Sequence, residues 1–547
     1  IKTLLFLGVP WLTEDITDGR NPSNFSDEFV ARYTLLWQNL VQRYQDEPTV
    51  FAWCPTICHQ DNPVGFIESD RTPALHRAWR DYLFTRGWTL EAVSQRLGRQ
   101  VGDWSEIEAP DVAYVGEHGV DDYFLAFMKM RKERAVEVYS QLCRTIRRFD
   151  ATRPIFLKMG MPWPLDVWDS PSGLWPAGWL RMCRTYDAVL MHSNFEDSVM
   201  AAILPSMAEG YGVRMMVEEG KVPPNAPCTV GAVGQAGWYG AMGMEFCFWP
   251  TGQDLSDWSR LKPTAQRMQA FSRSYDNLWV TFFDDALFAH EKNWEWIRRY
   301  YIKGYDLLTK LGLQYRVVGS DRLAAMPRDG VLLEANCVRL DDVTRERLDR
   351  FVRGGGTLVG QFMTDSEADF KLYNDWGVAM VRHAAGQVVL EGGLSFPAAD
   401  GFVPTGKDLR VLMRWEDGRP AAVEKKVGEG RLIVFGCGFE NDVAASAAVL
   451  RRLLEAVGVR PRVRVEPYGS VQVSVKRRDG TLQIGLINRD PMAKDVTVEL
   501  AGVSPREHRA YDWLDGVDVP LKDSGGQAAI TMRVEPSEIR LIEVDAK

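Results

Sequence analysis

Val213-Arg214-Met215-Met216-Val217-Glu218-Glu219-Gly220-Lys221 is an apolar run that stops abruptly at two carboxylates. From 213 to 217 it is apolar on both faces, the pattern of a strand buried in a parallel sheet. Glu218 comes directly off that run. A carboxylate at the tip of a buried strand is costly unless it has a task or a partner. Two readings stand: Glu218 does chemistry, or the two glutamates pair with Lys221 or Arg214.

Five similar runs surround this one, at 3–8, 49–53, 154–159, 187–191 and 244–248. Amphipathic stretches lie between them, at 26–45, 74–97, 121–149, 198–209, 230–242 and 261–275. Ser26-Asp27-Glu28 supplies an N-cap and an acidic first turn for the first of these helices. Strand–helix alternation of this kind means an α/β domain with a parallel sheet, here spanning 1–275. The count is six units. An open doubly wound sheet is one solution, and a (β/α)8 barrel lacking its first two units is the other.

The pattern changes after 275. Apolar runs at 314–319, 331–335, 357–360 and 431–436 alternate with helices at 294–311, 341–353 and 443–457, predicting a flavodoxin-like α/β domain over 276–460. Gly354-Gly355-Gly356 precedes a strand, whereas a phosphate loop follows a strand and opens a helix; the triplet reads as a helix stop. From 461 to 547 the runs are short and alternating, with turn residues such as Asp479-Gly480 between them, which predicts a small antiparallel β-sandwich.

Composition narrows the function. The chain of 547 residues carries 65 Lys and Arg against 74 Asp and Glu, a net charge of −9, so it lacks the basic footprint of a nucleic-acid binder. No apolar run reaches the roughly 18 residues of a membrane helix, so no membrane association is expected. The eight cysteines are scattered, as reduced thiols in a cytoplasm would be. Cys54-x3-Cys58-His59 has no second ligand pair nearby at structural-zinc spacing, so neither a metal nor a cofactor is expected. Nineteen tryptophans favour carbohydrate, because an indole face stacks on a sugar ring.

In parallel α/β folds the site lies just beyond the carboxyl ends of the strands. Those positions hold Trp11, Trp53, Trp163 and Trp249, the histidines His59 and His192, Asn194, and the pair Glu218-Glu219. Aromatic walls around carboxylates suit glycoside chemistry. His192 and Asn194, two apart, are candidates for hydroxyl recognition, and the plainer alternative for His192 is a satisfied core histidine.

At this point the residues resemble a family. Val41-Gln42-Arg43-Tyr44 with Pro48-Thr49-Val50-Phe51-Ala52-Trp53 is similar to the approach to the fourth barrel strand of glycoside hydrolase family 42, the β-galactosidases of clan A. Ala78-Trp79-Arg80-Asp81-Tyr82-Leu83, Trp88-Thr89-Leu90-Glu91-Ala92 and Gly102-Asp103-Trp104-Ser105 resemble its long insertion after that strand. Met216-Val217-Glu218 and the stretch from Gly240 to Trp249 resemble strands seven and eight. The resemblance implies a (β/α)8 barrel, a flavodoxin-like trimerisation domain and a small sandwich, hence a homotrimer acting on a carbohydrate substrate. It also implies a retaining mechanism with Glu218 as nucleophile and an Asn-Glu pair carrying the acid/base.

That pair falls on Ile57 and Cys58, and here the chain departs from the family. Ile57 cannot bond a sugar hydroxyl. A thiol of reference pKa about 8.5 is a poor proton donor to a glycosidic oxygen. Three readings follow. Another group (Asp61, Glu68 or Glu196, with His59 or His192 behind them) replaces the acid; the chain binds sugar without catalysis or serves as an assembly subunit; or its substrate has a leaving group that needs little acid help. Numbered against the family, the visible strands are three to eight. Six strands cannot close in the eight-strand geometry, so a further N-terminal segment or a second chain is expected to complete the barrel.

Overall fold

The computed structural model describes residues 3–6, 23–55, 72–118, 121–159, 176–193, 198–219, 240, 242–243, 245–248, 258–283, 302–334, 340–360, 370–390, 393–398, 401–439, 444–488, 490–536 and 538–546. The chain divides into two compact units. One comprises 1–193, 211–216 and 284–298, the other 194–210, 217–283 and 299–547.

In the first unit β1 (Thr3–Phe6), β2 (Val50–Cys54), β3 (Ile155–Met159) and β4 (Ala188–Ser193) lie side by side in chain order. All are parallel, with Leu5 opposite Trp53, Trp53 opposite Ile155 and Leu157 opposite Leu190. The next strand, β5 (Met215–Glu219), begins here: the Leu190 N–H donates to the Arg214 carbonyl at 3.0 Å. It ends in the second unit, where β6 (Glu245–Phe248) is its neighbour. A doubly wound sheet reverses its strand order at a switch point. Here the order never reverses, so the doubly wound alternative fails and the strands follow the succession of a barrel wall.

The helices of this unit form where capping and apolar spacing agree. In α1 (Asp27–Tyr44) the Ser26 side chain accepts from the Phe29 N–H, and Phe29, Val30, Tyr33, Trp37 and Val41 are buried at i, i+3/i+4 spacing. The stretch 74–97, read as one helix, is two. α2 (Pro73–Thr85) stops before Gly87, whose φ of 77° no helix accommodates, and Thr89 caps α3 (Leu90–Leu97). After α4 (Val112–His118) comes α5 (Asp122–Phe149), capped by Asp121, and then α6 (Pro176–Tyr186).

The second unit carries α7 (Ser198–Tyr211), α8 (Trp258–Gln269) and the short strand β7 (Ser272–Arg273). The stretch read as helix 261–275 therefore ends early. The helix read at 230–242 lies almost wholly outside the described residues, as does 294–301. Next comes a sheet whose parallel strands are β8 (Leu278–Thr281), β9 (Arg316–Val318), β10 (Val331–Leu333), β11 (Thr357–Gly360) and, much later, β18 (Gly430–Phe435). Their spatial order is β9-β8-β10-β11-β18, which is the flavodoxin order 2-1-3-4-5. Helices α9 (Ile302–Lys310), α10 (Asp342–Arg353) and α12 (Ala444–Ala456) belong to it, with the short α11 (Lys371–Asp375) between. The glycine triplet does end α10: Gly355 has φ 117°, and a Cβ on Gly356 would lie 2.3 Å from the Phe351 ring.

One feature of this region was not read from the sequence. Between β11 and β18 the described residues include six antiparallel strands, β12 (Val378–His383), β13 (Gly386–Leu390), β14 (Ser395–Ala398), β15 (Gly401–Gly406), β16 (Arg410–Trp415) and β17 (Pro420–Val427). Four extend the sheet in the order β14-β13-β16-β17, and β12 pairs with β15 as a separate ribbon.

The last segment forms two antiparallel sheets around one apolar core. One sheet holds β19 (Val463–Glu466), β22 (Lys494–Leu500), β26 (Gln527–Val534) and β25 (Lys522–Ser524); the other runs β24 (Val517–Val519), β23 (His508–Asp512), β27 (Ile539–Ala546), β21 (Thr481–Ile487), β20 (Gln472–Arg478) and β7. Val473, Val475, Ile484, Val498, Ile530 and Ile542 fill the space between. Asp479 (φ 46°) and Gly480 (φ 90°) make the two-residue turn from β20 to β21, both positive as that hairpin requires. Among the described residues, no helix is long and apolar enough to cross a membrane.

Candidate active site

Glu218 is the fourth of five residues in β5, at its carboxyl end, and His192 is the fifth of six in β4, opposite Met159. Each backbone therefore stands at the carboxyl end of its own strand, the end at which parallel strands carry functional residues. Trp11, Cys58, His59, Asp61, Glu68, Trp163, Asn194, Glu196 and Trp249 lie outside the described residues.

Trp53 is different and needs a correction. It is fully buried, and its indole Nε1 donates to Asp150 Oδ2 at 2.8 Å. Asp150 closes α5 and precedes β3. Its other oxygen accepts from the Thr152 N–H and the Arg153 N–H, both at 3.0 Å. Arg153 NH1 reaches Asp150 Oδ2 at 2.8 Å, while its Nε donates to the Val50 carbonyl at 2.7 Å and NH2 to that of Glu47 at 2.9 Å. Burial opposes ionisation of Asp150, but the bonds from Arg153, Trp53 and Thr152 outweigh it and hold the carboxyl well below its ordinary range. This is a buried brace between the entries to β2 and β3. A ring with no exposed face cannot stack on sugar, so Trp53 leaves the set of sugar-lining residues.

The loop after β2 carries the Ile57-Cys58 departure, and its first residue is held in place. Tyr33, buried in α1, donates its hydroxyl to the Pro55 carbonyl at 2.7 Å. Desolvation pushes that phenol far above its ordinary pKa, so it stays a donor at every working pH. Sequence reasoning missed Tyr33; its place on the buried stripe of α1 was the only available signal. Cys54, the last residue of β2, is buried with Ala52, Phe156, Val189 and Met191, as a small apolar side chain would be.

The insertion after β2 folds around Trp79. Its indole donates to the Tyr123 hydroxyl at 2.9 Å, and the rings of Tyr123 and Phe127 meet it edge-on at 5.0 and 5.4 Å. Asp103 accepts from the Ser105 N–H at 2.8 Å and starts the turn at Trp104. These are the stretches on which the family likeness rests.

Comparison with known proteins agrees with that likeness. The glycoside hydrolase family 42 model, described as beta-galactosidase, matches residues 18–174. No curated protein matches the chain. Among solved structures, a beta-galactosidase from Bacillus circulans sp. alkalophilus aligns at TM-score 0.71 and 16% identity, over 96% of this chain and 83% of that one. A beta-galactosidase from Rahnella sp. R3 aligns at TM-score 0.69 and 14% identity, over 96% and 83%. An exo-carrageenase of family 42 from Bacteroides ovatus aligns at TM-score 0.64 and 13% identity, over 97% and 72%. The chain thus has the fold of these enzymes and resembles family 42 in sequence where the model matches.

Proposed function

Starting from that resemblance, we propose that the protein is a glycoside hydrolase acting on a β-linked glycoside, with β-galactosides as the first substrates to test. Glu218 is its nucleophile. The observation that carries this reading is the station of Glu218 at the carboxyl end of β5, directly after the apolar residues Met215, Met216 and Val217. Trp11, Trp163 and Trp249 line the sugar, and His192 and Asn194 bind its hydroxyls. Cys58 stands where the acid/base belongs. With a thiol there, the reaction depends on leaving-group quality: protonation of the glycosidic oxygen is the contribution that is lost. The resemblance also supports a homotrimer, which light scattering would register at three times the 61.9 kDa chain mass.

The test is a panel of aryl β-galactosides. Wild type should cleave those with good leaving groups, and Glu218→Gln should lower the rate by about 10³-fold or more, as removing a covalent nucleophile does. Equal rates for the two proteins would remove Glu218 from the mechanism.

Ile57-Cys58 favours a second reading, a non-catalytic relative that binds carbohydrate or serves as an assembly subunit. On that reading wild type is inert across the panel, and only the double change Ile57→Asn with Cys58→Glu creates turnover. Calorimetry showing no sugar binding would leave the assembly role.

A further inference from the structure

We infer that Lys476 is a proton-sensitive clamp by which the C-terminal sandwich holds the two backbone carbonyls that bracket the β6–α8 unit. Lys476 sits in β20 and is 3% exposed. Its Nζ donates to the Gly240 carbonyl at 2.9 Å and to the Met268 carbonyl. Gly240 lies five residues before β6, and Met268 is the penultimate residue of α8. One amine therefore ties the entry of this strand–helix unit to its exit. The seat is tight: a Cβ on Gly240 would lie 2.5 Å from that of Met268, so only glycine brings both carbonyls to the amine.

The surroundings make the clamp sensitive to charge. Across β20, Lys476 pairs with Arg273 of β7 on one side and Gln483 of β21 on the other. Glu209 of α7 is the favourable charge in reach, but it accepts the Tyr275 hydroxyl at 2.5 Å. Glu543 of β27 is taken by Arg267 of α8 and by Gln483. Among the described residues no carboxylate forms an ion pair with the amine. A neutral amine has two N–H donors, matching the two carbonyls. An ammonium has three, and the third finds no acceptor among the described residues.

Burial, reinforced by Arg273 and opposed by Glu209, brings the Lys476 pKa down to about 7. A folded-state pKa below the unfolded value means that the contribution to stability is complete above the unfolded pKa near 10.4 and is lost as pH falls through about 7. The clamp grips when neutral and loosens when protonated. The inference depends on the fold and not on glycosidase activity, so neither can fail on behalf of the other.

Hydrogen exchange on the full chain, corrected for intrinsic rates, reads the clamp directly. In wild type the opening constant of peptides spanning 240–248 and 258–271 should fall as pH rises from 7 to 9, by up to about tenfold per unit. Peptides of 331–360 serve as a control without that trend. Lys476→Met should raise opening at the two clamped segments and abolish the pH trend there. A flat wild-type profile overturns the inference, and so does a Lys476→Met variant that keeps the wild-type slope. Should that variant not fold, the wild-type pH series still decides.

Discussion

At the scale of single residues, tryptophan was the most ambiguous letter in the sequence. Its abundance pointed to sugar, yet Trp37, Trp53, Trp79 and Trp415 are all fully buried. The same flat apolar body fills a core or stacks on a ligand, and no spacing rule separates the two uses. Trp53 shows why. Its role is set by Asp150 and Arg153, about a hundred positions away, which no local pattern reveals. The brace makes a prediction. Asp150→Asn keeps the shape but exchanges charge-assisted bonds for neutral ones, and should cost about 2–3 kcal/mol near neutral pH, measured by urea unfolding. Because the native carboxyl is held below its ordinary pKa, the wild-type advantage is present above about pH 4. It should shrink as pH falls below that. A loss that persists undiminished at pH 3 would mean that packing, not charge, is what the substitution disturbs.

At the scale of elements, legibility followed burial. The six runs of the first sheet were readable because each is a short, largely apolar stretch of the kind a parallel strand requires, and their observed bounds differ from the runs by a few residues. The ribbons from β12 to β17 were not. They show mixed exposure, with Val381 and Val389 open to solvent, and they carry Pro397, Pro404 and Pro420, which read as breaks. Strand β8 was hidden for another reason: Leu278–Thr281 is four residues long and follows a bend at Asn277, where φ is 50°. That bend is flanked by Asp276, a buried carboxyl that accepts the Gln314 N–H at 2.7 Å. Desolvation raises its pKa to about 6, against the Gln314 and Arg462 bonds. A folded pKa above the unfolded one means that stability is fully present below about pH 4 and is lost as pH rises through 6. Asp276→Asn should therefore gain on wild type by an amount on the order of 3 kcal/mol between pH 4 and 7. Unfolding midpoints that move in parallel for the two proteins across that range would refute it.

At the scale of the whole molecule, the boundaries of 276–460 and 461–547 were drawn from a change in pattern, and the packing shows how little such a boundary says about independence. Strand β7, before the flavodoxin-like sheet, pairs with β20 of the sandwich. Gln314, ahead of β9, reaches across in the same way: its Nε2 donates to the Val473 carbonyl at 3.2 Å and its Oε1 accepts from the Val475 N–H at 3.1 Å. The guanidinium of Arg267 is paired with Glu543. Gln314 is buried, so its Oε1 loses its partner with the last segment, and an orphaned buried donor or acceptor costs about 1–3 kcal/mol. A chain ending at residue 460 would take from β7 its pairing with β20, from Gln314 its bonds to Val473 and Val475, from Arg267 its carboxylate, and the whole apolar core of the sandwich from the molecule. The marginal stability of a folded domain, about 5–15 kcal/mol, does not absorb several such losses at once. The truncated chain should accordingly bind a hydrophobic dye and aggregate at temperatures where the full chain stays folded. A soluble truncation that binds no dye and unfolds as cooperatively as the full chain would show instead that the sandwich is an appendage, and that the clamp at Lys476 is dispensable for the fold it touches.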